Sequence, residues 1–258
     1  MYIKRTWIYG NRKEVKKYHT ARYGVKGEKR RKKEKPSPEK VKAVNERNAR
    51  KKLLRLMINN FSQGDWHLTL TYAPDKRPDV EGSKKLLKAF FRNLRGEYRK
   101  QGAELKYIMV TEWKDKGLHH HLTINDIPGL SKLLTKLWGH GGIHLTPLYA
   151  DGDYDGLAEY FVKETSRTFR NEDNPYSQRW TCSRNLVKPE EKVEVIKADS
   201  WREEPKTSRT EAIAGYVIDK GSLQAGVDAW GYPYQEYIMI CYGSKDGKRK
   251  RERSGSRR

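Results

Sequence analysis

The sequence predicts a protein that mixes helices and strands, and three observations lead there. Short stretches alternate with period two and are rich in Thr and Leu, such as WHLTLTY at 66–72, which is the pattern of a strand. Longer runs place apolar residues on one helical face, such as KKLLKAFFRNLRGEYRK at 84–100 with Leu86, Leu87, Phe90, Phe91 and Leu94. Two strand-like segments, LKYIMVTEW (105–113) and LHHHLTI (118–124), are joined by a short polar turn, which predicts an antiparallel hairpin.

The remaining elements follow in order. Residues 1–36 read as an irregular basic extension ending in KGEKRRKKEKP. In SPEK, Ser37 suits an N-cap and Pro38 the first helical position, so a long basic helix is predicted over about 38–60. Val41, Val44, Leu53, Leu54, Met57, Ile58 and Phe61 recur at helical spacings through it, and the Ser62–Gln63–Gly64–Asp65 turn stops it. A helix at 129–138, a strand at 141–149 and a helix at 154–164 come after the hairpin. Beyond 170, short strands are expected within 183–198 and 235–243, and GYVIDK (215–220) is a strand-like segment bounded by glycines. The closing KDGKRKRERSGSRR reads as disordered. The expected layout is an extension at 1–36, a domain at 37–170 led by the basic helix, a strand-containing segment at 171–244 packed on it, and a tail at 245–258.

Charge is concentrated at the two ends. The net charge is +22, yet residues 61–244 carry 26 residues of each sign. Residues 1–60 hold 21 Lys/Arg against 5 Asp/Glu, and residues 245–258 hold 8 against 2. Such ends suit a polyanion, and no stretch has the apolar face of an amphipathic membrane helix. The two cysteines, Cys182 and Cys241, imply no disulfide framework. The first residues have no apolar core and no run approaches transmembrane length, so an intracellular, cytoplasmic protein is expected.

The chemistry concentrates at GLHHHLTI (117–124), which holds three of seven histidines. On a strand, His119 and His121 project from one face and His120 from the other. Glu112 ends the apolar run YIMVT, and in a hairpin it can lie beside His119 or His121. Two imidazoles and a carboxylate would make a three-point metal grip with open positions for water and a substrate oxygen. In GLAEYFVKE, Tyr160 and Lys163 share a helix face, and a positive neighbour helps a phenol of ordinary pKa near ~10 to shed its proton. Thr69, Thr71 and His67 share one face of the strand at 66–72.

In that order, LTLTY (68–72), Glu112 ahead of HHH (119–121), and YFVK (160–163) resemble the three motifs of the HUH endonuclease superfamily. More closely, they resemble the rolling-circle replication initiator (Rep) proteins of bacterial plasmids and small single-stranded DNA phages. NFSQGD, LWGHGGIH and SRNLVKPE are similar flanking text, so the resemblance covers about 40–243. The family's middle histidine-motif residue is usually bulky and hydrophobic, and here it is His120. Strand alternation favours His119 and His121 as the ligands.

The resemblance implies an α+β fold with a central antiparallel sheet flanked by helices, in an RRM- or ferredoxin-like arrangement. It implies Mg²⁺ or Mn²⁺ on Glu112, His119 and His121, with Thr69 and Thr71 supporting from beneath. Tyr160, helped by Lys163, would attack the scissile phosphate of single-stranded origin DNA and leave a 5′-phosphotyrosyl end and a free 3′-OH. With one such tyrosine, closing a circle would need a second protomer or a second use of Tyr160. No G-x-x-x-x-G-K-[ST] loop is present, so helicase and polymerase would come from a bacterial host. Competing readings are a relaxase or HUH transposase, a non-catalytic RRM-like nucleic-acid binder, and a structural zinc site that adds His140 and His144. The binder should show aromatic residues on its sheet, where threonines and histidines stand instead. The zinc site lacks the expected cysteines.

Overall fold

Seven of the ten described strands and all four described helices fall in segments that the alternation and spacing arguments mark. The computed structural model describes residues 1–20, 23, 37–113, 117–148, 154–166, 176, 178–197, 215–228 and 230–241. Among these the chain is α+β, with two five-stranded antiparallel sheets and four helices. It divides into two compact units, residues 33–188 and residues 1–32 with 189–258. None of the described helices is long and apolar enough to cross a membrane.

The 33–188 unit begins with α1 (Pro38–Asn60), whose first turn is closed by the Ser37 hydroxyl accepting from the Lys40 amide at 3.3 Å. Its second half buries Leu53, Leu54, Leu56 and Met57, while Val41 and Val44 in its first half stay exposed, contrary to their expected place on an apolar face. The sheet of this unit contains β3 (Trp66–Thr71), β4 (Tyr107–Glu112), β5 (His119–Ile124), β6 (Ile143–Pro147) and β7 (Thr181–Cys182), in the order β6-β3-β5-β4-β7. Three further helices are α2 (Val80–Lys100), α3 (Leu130–Leu137) and α4 (Asp155–Ser166). α2 starts four residues earlier than its apolar pattern because the Asp79 carboxylate caps it, accepting from the Gly82 amide at 2.7 Å.

Each face of this sheet buries a separate core. Leu68, Leu70, Leu122 and Ile124 meet α2 and α3 on one side, through Phe90, Phe91, Leu94 and Leu134. Ile108 and Val110 meet α1 and α4 on the other, through Leu53, Met57, Ala158 and Phe161. The second core lies under β4, so β3 and the start of β5 keep a part-open face. The loop into β6 presses against the end of β3. A Cβ on Gly141 would sit 2.2 Å from the Thr71 carbonyl oxygen, an approach only glycine permits.

The other unit corrects the reading of residues 1–36 as irregular. β1 (Tyr2–Tyr9) and β2 (Arg12–His19) form a hairpin across Gly10–Asn11, with Gly10 at φ 53°. A Gly-Asn pair between two strand-length segments is a hairpin signal, here obscured by the lysines on both strands. β8 (Glu190–Ile196), β9 (Tyr216–Val227) and β10 (Pro233–Cys241) complete the order β8-β1-β2-β10-β9. The segment expected as one C-terminal extension is therefore shared: β7 joins the β4 sheet, and the later strands join β1 and β2. The tail at 245–258 lies outside the described residues.

Because β1 and β2 stand between β8 and β10, deletion of residues 1–20 should unfold the 189–241 strands rather than trim a dispensable extension. Limited proteolysis checks this: the truncated protein should lose 189–241 rapidly and retain a fragment spanning 33–188.

Candidate metal centre and nucleophile

The site is set by the register of three strands. Glu112 on β4 stands directly opposite His119 on β5, and His121 stands opposite Thr69 on β3. Alternation then points His119 and His121 to the same side as Glu112. Glu112 Oε2 lies 3.0 Å from His119 Nε2, and Oε1 lies 3.3 Å from His121 Nε2. Burial alone would raise the Glu112 pKa, but hydrogen bonds from the two imidazoles outweigh it and hold the carboxyl well below its usual range.

Each imidazole is held at its far nitrogen. His119 Nδ1 is 2.9 Å from the Gly117 carbonyl oxygen and His121 Nδ1 is 3.1 Å from Thr69 Oγ1. These contacts orient Nε2 of both rings toward the carboxylate, as outer partners of metal-ligating histidines do. Gly117 adopts φ 82°, and a Cβ there would lie 2.8 Å from the Arg77 guanidinium carbon, so the carbonyl depends on glycine. Sequence reasoning missed its role, although it begins the GLHHH motif. His67 packs its ring 5.6 Å from that of His121. Its pKa is pushed down to about 4, first by burial and then by His121 and His144, which leaves it neutral.

His120 points into the opposite core. Its Nδ1 is 2.9 Å from Thr111 Oγ1 and its Nε2 is 3.0 Å from the Tyr72 hydroxyl, with Ser83 Oγ at 3.4 Å. The residue is fully buried, and burial pushes its pKa down to about 3. A polar network therefore occupies the place of a bulky hydrophobic side chain, and it holds neutral imidazole.

α4 docks Ala158, Phe161 and Val162 into the core beside β4 and leaves Tyr160 at the margin of the cluster. The Tyr160 hydroxyl is 3.0 Å from His121 Nε2 and donates to Glu112 Oε1 at 3.3 Å. Burial, and then the negative charges of Glu112 and Glu164, push its pKa up. Lys163, one turn along α4, is exposed rather than drawn into the cluster. Thr71 pairs with His119 in the strand register, but its hydroxyl donates to the Gly142 carbonyl at 3.1 Å and so braces the β6 loop. Tyr154 is buried in the α1–α4 core.

The donor set fits a divalent cation. Among the described residues, the one group of three or more His, Cys, Asp or Glu whose ligand atoms converge is Glu112, His119 and His121, all within 4.8 Å of one another. Two neutral imidazoles and a carboxylate leave open positions on an ion held there. His140 and His144 stand outside this group: the His140 ring packs on Tyr72 and Trp138, and His144 is an exposed cross-strand neighbour of Thr69.

Residues 65–166 match a family of replication-associated proteins, the ORF2 type. The matched segment runs from the residue before β3 to the end of α4 and contains Thr69, Glu112, His119, His121, Tyr160 and Lys163. The match supports a replication initiator and, with the His-His-Glu cluster, is compatible with a metal-dependent nuclease. Comparison with curated proteins and with solved structures finds no match.

The opposed faces of β5 give neighbouring histidines different expected outcomes. His119→Ala and His121→Ala should remove Mn²⁺ binding in titration calorimetry, and Thr69→Val should weaken it about 10–100-fold as an outer partner. His120→Ala should keep Mn²⁺ binding but lose about 2–4 kcal/mol of stability through a cavity and unpaired partners. Loss of Mn²⁺ binding in a normally melting His120→Ala protein would contradict this arrangement. The pH dependence has a definite sign. His120 titrates near 6.5 unfolded and at about 3 folded, so its contribution is full above pH 6.5 and is lost as pH falls toward 3. Thermal melts between pH 6.5 and 4.5 should therefore decline less steeply for His120→Phe than for wild type, the full effect of one proton being about 1.4 kcal/mol per pH unit.

Proposed function

We propose that this chain is a replication-initiator endonuclease that nicks single-stranded origin DNA through Tyr160. The observation that carries the reading is the Tyr160 hydroxyl, placed 3.0 Å from His121 Nε2 and 3.3 Å from Glu112 Oε1 at the edge of the His-His-Glu cluster. A phenol beside a metal-holding set has the components of phosphoryl transfer by a covalent nucleophile.

Glu112, His119 and His121 would hold Mg²⁺ or Mn²⁺. When bound, the cation supplies charge stabilisation at a non-bridging phosphate oxygen. Gly117 and Thr69 fix the imidazoles, so the ligands need not reorganise when substrate arrives. Before the reaction, Tyr160 is held protonated by burial and by the Glu112 charge. In the reaction its oxygen forms a bond to phosphorus and its proton passes to solvent. The 3′ oxygen leaves with the bonding electron pair and takes up a proton. The products are a 5′-phosphotyrosyl strand and a free 3′-OH primer. Lys163, exposed one turn beyond, steadies negative charge on the phosphate.

Origin DNA is the partner in this reading, with unwinding and extension left to host helicase and polymerase. The basic first half of α1 and the basic ends would add affinity without sequence information.

Incubation with labelled single-stranded origin candidates and Mn²⁺ should give an SDS-stable, protease-sensitive adduct. Tyr160→Phe should lose the adduct and keep DNA binding. Tyr216→Phe should keep both, because Tyr216 lies on β9, where Lys220 stands about 13 Å along the extended backbone. A phosphotyrosyl peptide mapped to any residue other than 160 would sink the assignment.

A further inference from the structure

Thr111 and Trp113 flank Glu112, and both line a cavity of about 380 Å³ on the α2 side of β4. That size suits a small ligand such as one nucleotide. Its lining has a specific chemistry. Lys84, Lys88, Phe91 and Arg95 follow one another at four, three and four residues on α2, so they form one stripe along the helix. Arg179 adds a fourth cation, and no carboxylate is among the described lining residues. Lys84 is itself paired with Glu81 at 2.7 Å, which leaves Lys88 and Arg95 as the exposed cations beside the opening.

Aromatic surface supplies the rest. Phe91 and Tyr107 are stacked with centroids 4.1 Å apart, the Arg95 guanidinium lies 5.9 Å over Phe91, and Trp113 and Trp180 also line the cavity. Aromatic faces beside unopposed cations suit a flat heterocycle joined to a phosphate. The cavity is also reachable from the cluster. β7 pairs only with Ile108 and Met109, so the edge of β4 at 110–112 has no β7 partner. A strand crossing the cluster could turn around that edge.

From this geometry we propose that the cavity is a base-binding pocket taking one unstacked nucleotide of the single strand, a few nucleotides from the scissile phosphate. The base stacks among Phe91, Tyr107, Trp113 and Trp180, and Lys88 and Arg95 hold the adjoining phosphate. The inference rests on the endonuclease reading above, and adds to it a place where sequence is read at a distance from the nick.

The test uses the full chain and a single strand that forms the Tyr160 adduct, remade with 5-iododeoxyuridine at one position at a time. After irradiation, crosslinked peptides are mapped by mass spectrometry. Positions near the nick should crosslink to Phe91, Tyr107, Trp113 or Trp180. Lys88→Glu/Arg95→Glu, a change on an exposed helix face whose folding is checked by its melting temperature, should lose that crosslink and bind about tenfold more weakly, as expected when one stacked base is lost. Adduct formation with crosslinks only to other residues, or a double variant that binds and crosslinks as wild type does, overturns the pocket and leaves the endonuclease reading standing. Strands that give neither adduct nor crosslink overturn both.

Discussion

The two-sidedness of β5 is the constraint from which the site follows. This strand lies between β3 and β4, so both of its edges are hydrogen-bonded and its register cannot slip without turning every side chain to the wrong face. That register places Glu112 against His119 and Thr69 against His121, and sends His120 into the α2 core. Three consecutive histidines thereby divide into two converging ligands and one buried network member. The network of Thr111, Tyr72 and Ser83 in turn satisfies an imidazole that would otherwise be a costly guest in an apolar core.

Charge at the cluster is finely opposed. Glu112 stays ionised because two imidazoles donate to it, and its negative charge in turn helps to keep the neighbouring Tyr160 phenol protonated. A dication held by the same three side chains reverses that local sign, which ties nucleophile activation to metal occupancy. His67, neutral and packed on His121, adds no charge to this balance.

Much of this was legible in the sequence because it rests on period. Alternation separated His119 and His121 from His120, and the hairpin placed Glu112 near them. Helical spacing put Tyr160 on a docked helix with Lys163 one turn on. What was not legible depends on tertiary geometry or on competing signals. The Gly117 carbonyl acts through a positive φ that composition does not show. Lys163 and Thr71 share faces with site residues yet stay outside the cluster, since sharing a face does not fix where a side chain ends. The β1–β2 hairpin was hidden because its strands carry lysines on both sides, and charge density reads as irregular chain. β10 instead has a run of bulky residues, and its strand character was visible.

The central claim is that Glu112, His119 and His121 form a cation site with Tyr160 at its edge. Anomalous diffraction from crystals soaked in Mn²⁺ tests it most directly. The account predicts one strong anomalous peak in coordination contact with the Glu112 carboxylate and both Nε2 atoms, with the Tyr160 hydroxyl adjacent and His120 remote. A principal Mn²⁺ peak elsewhere, or one coordinated by His120, would contradict it.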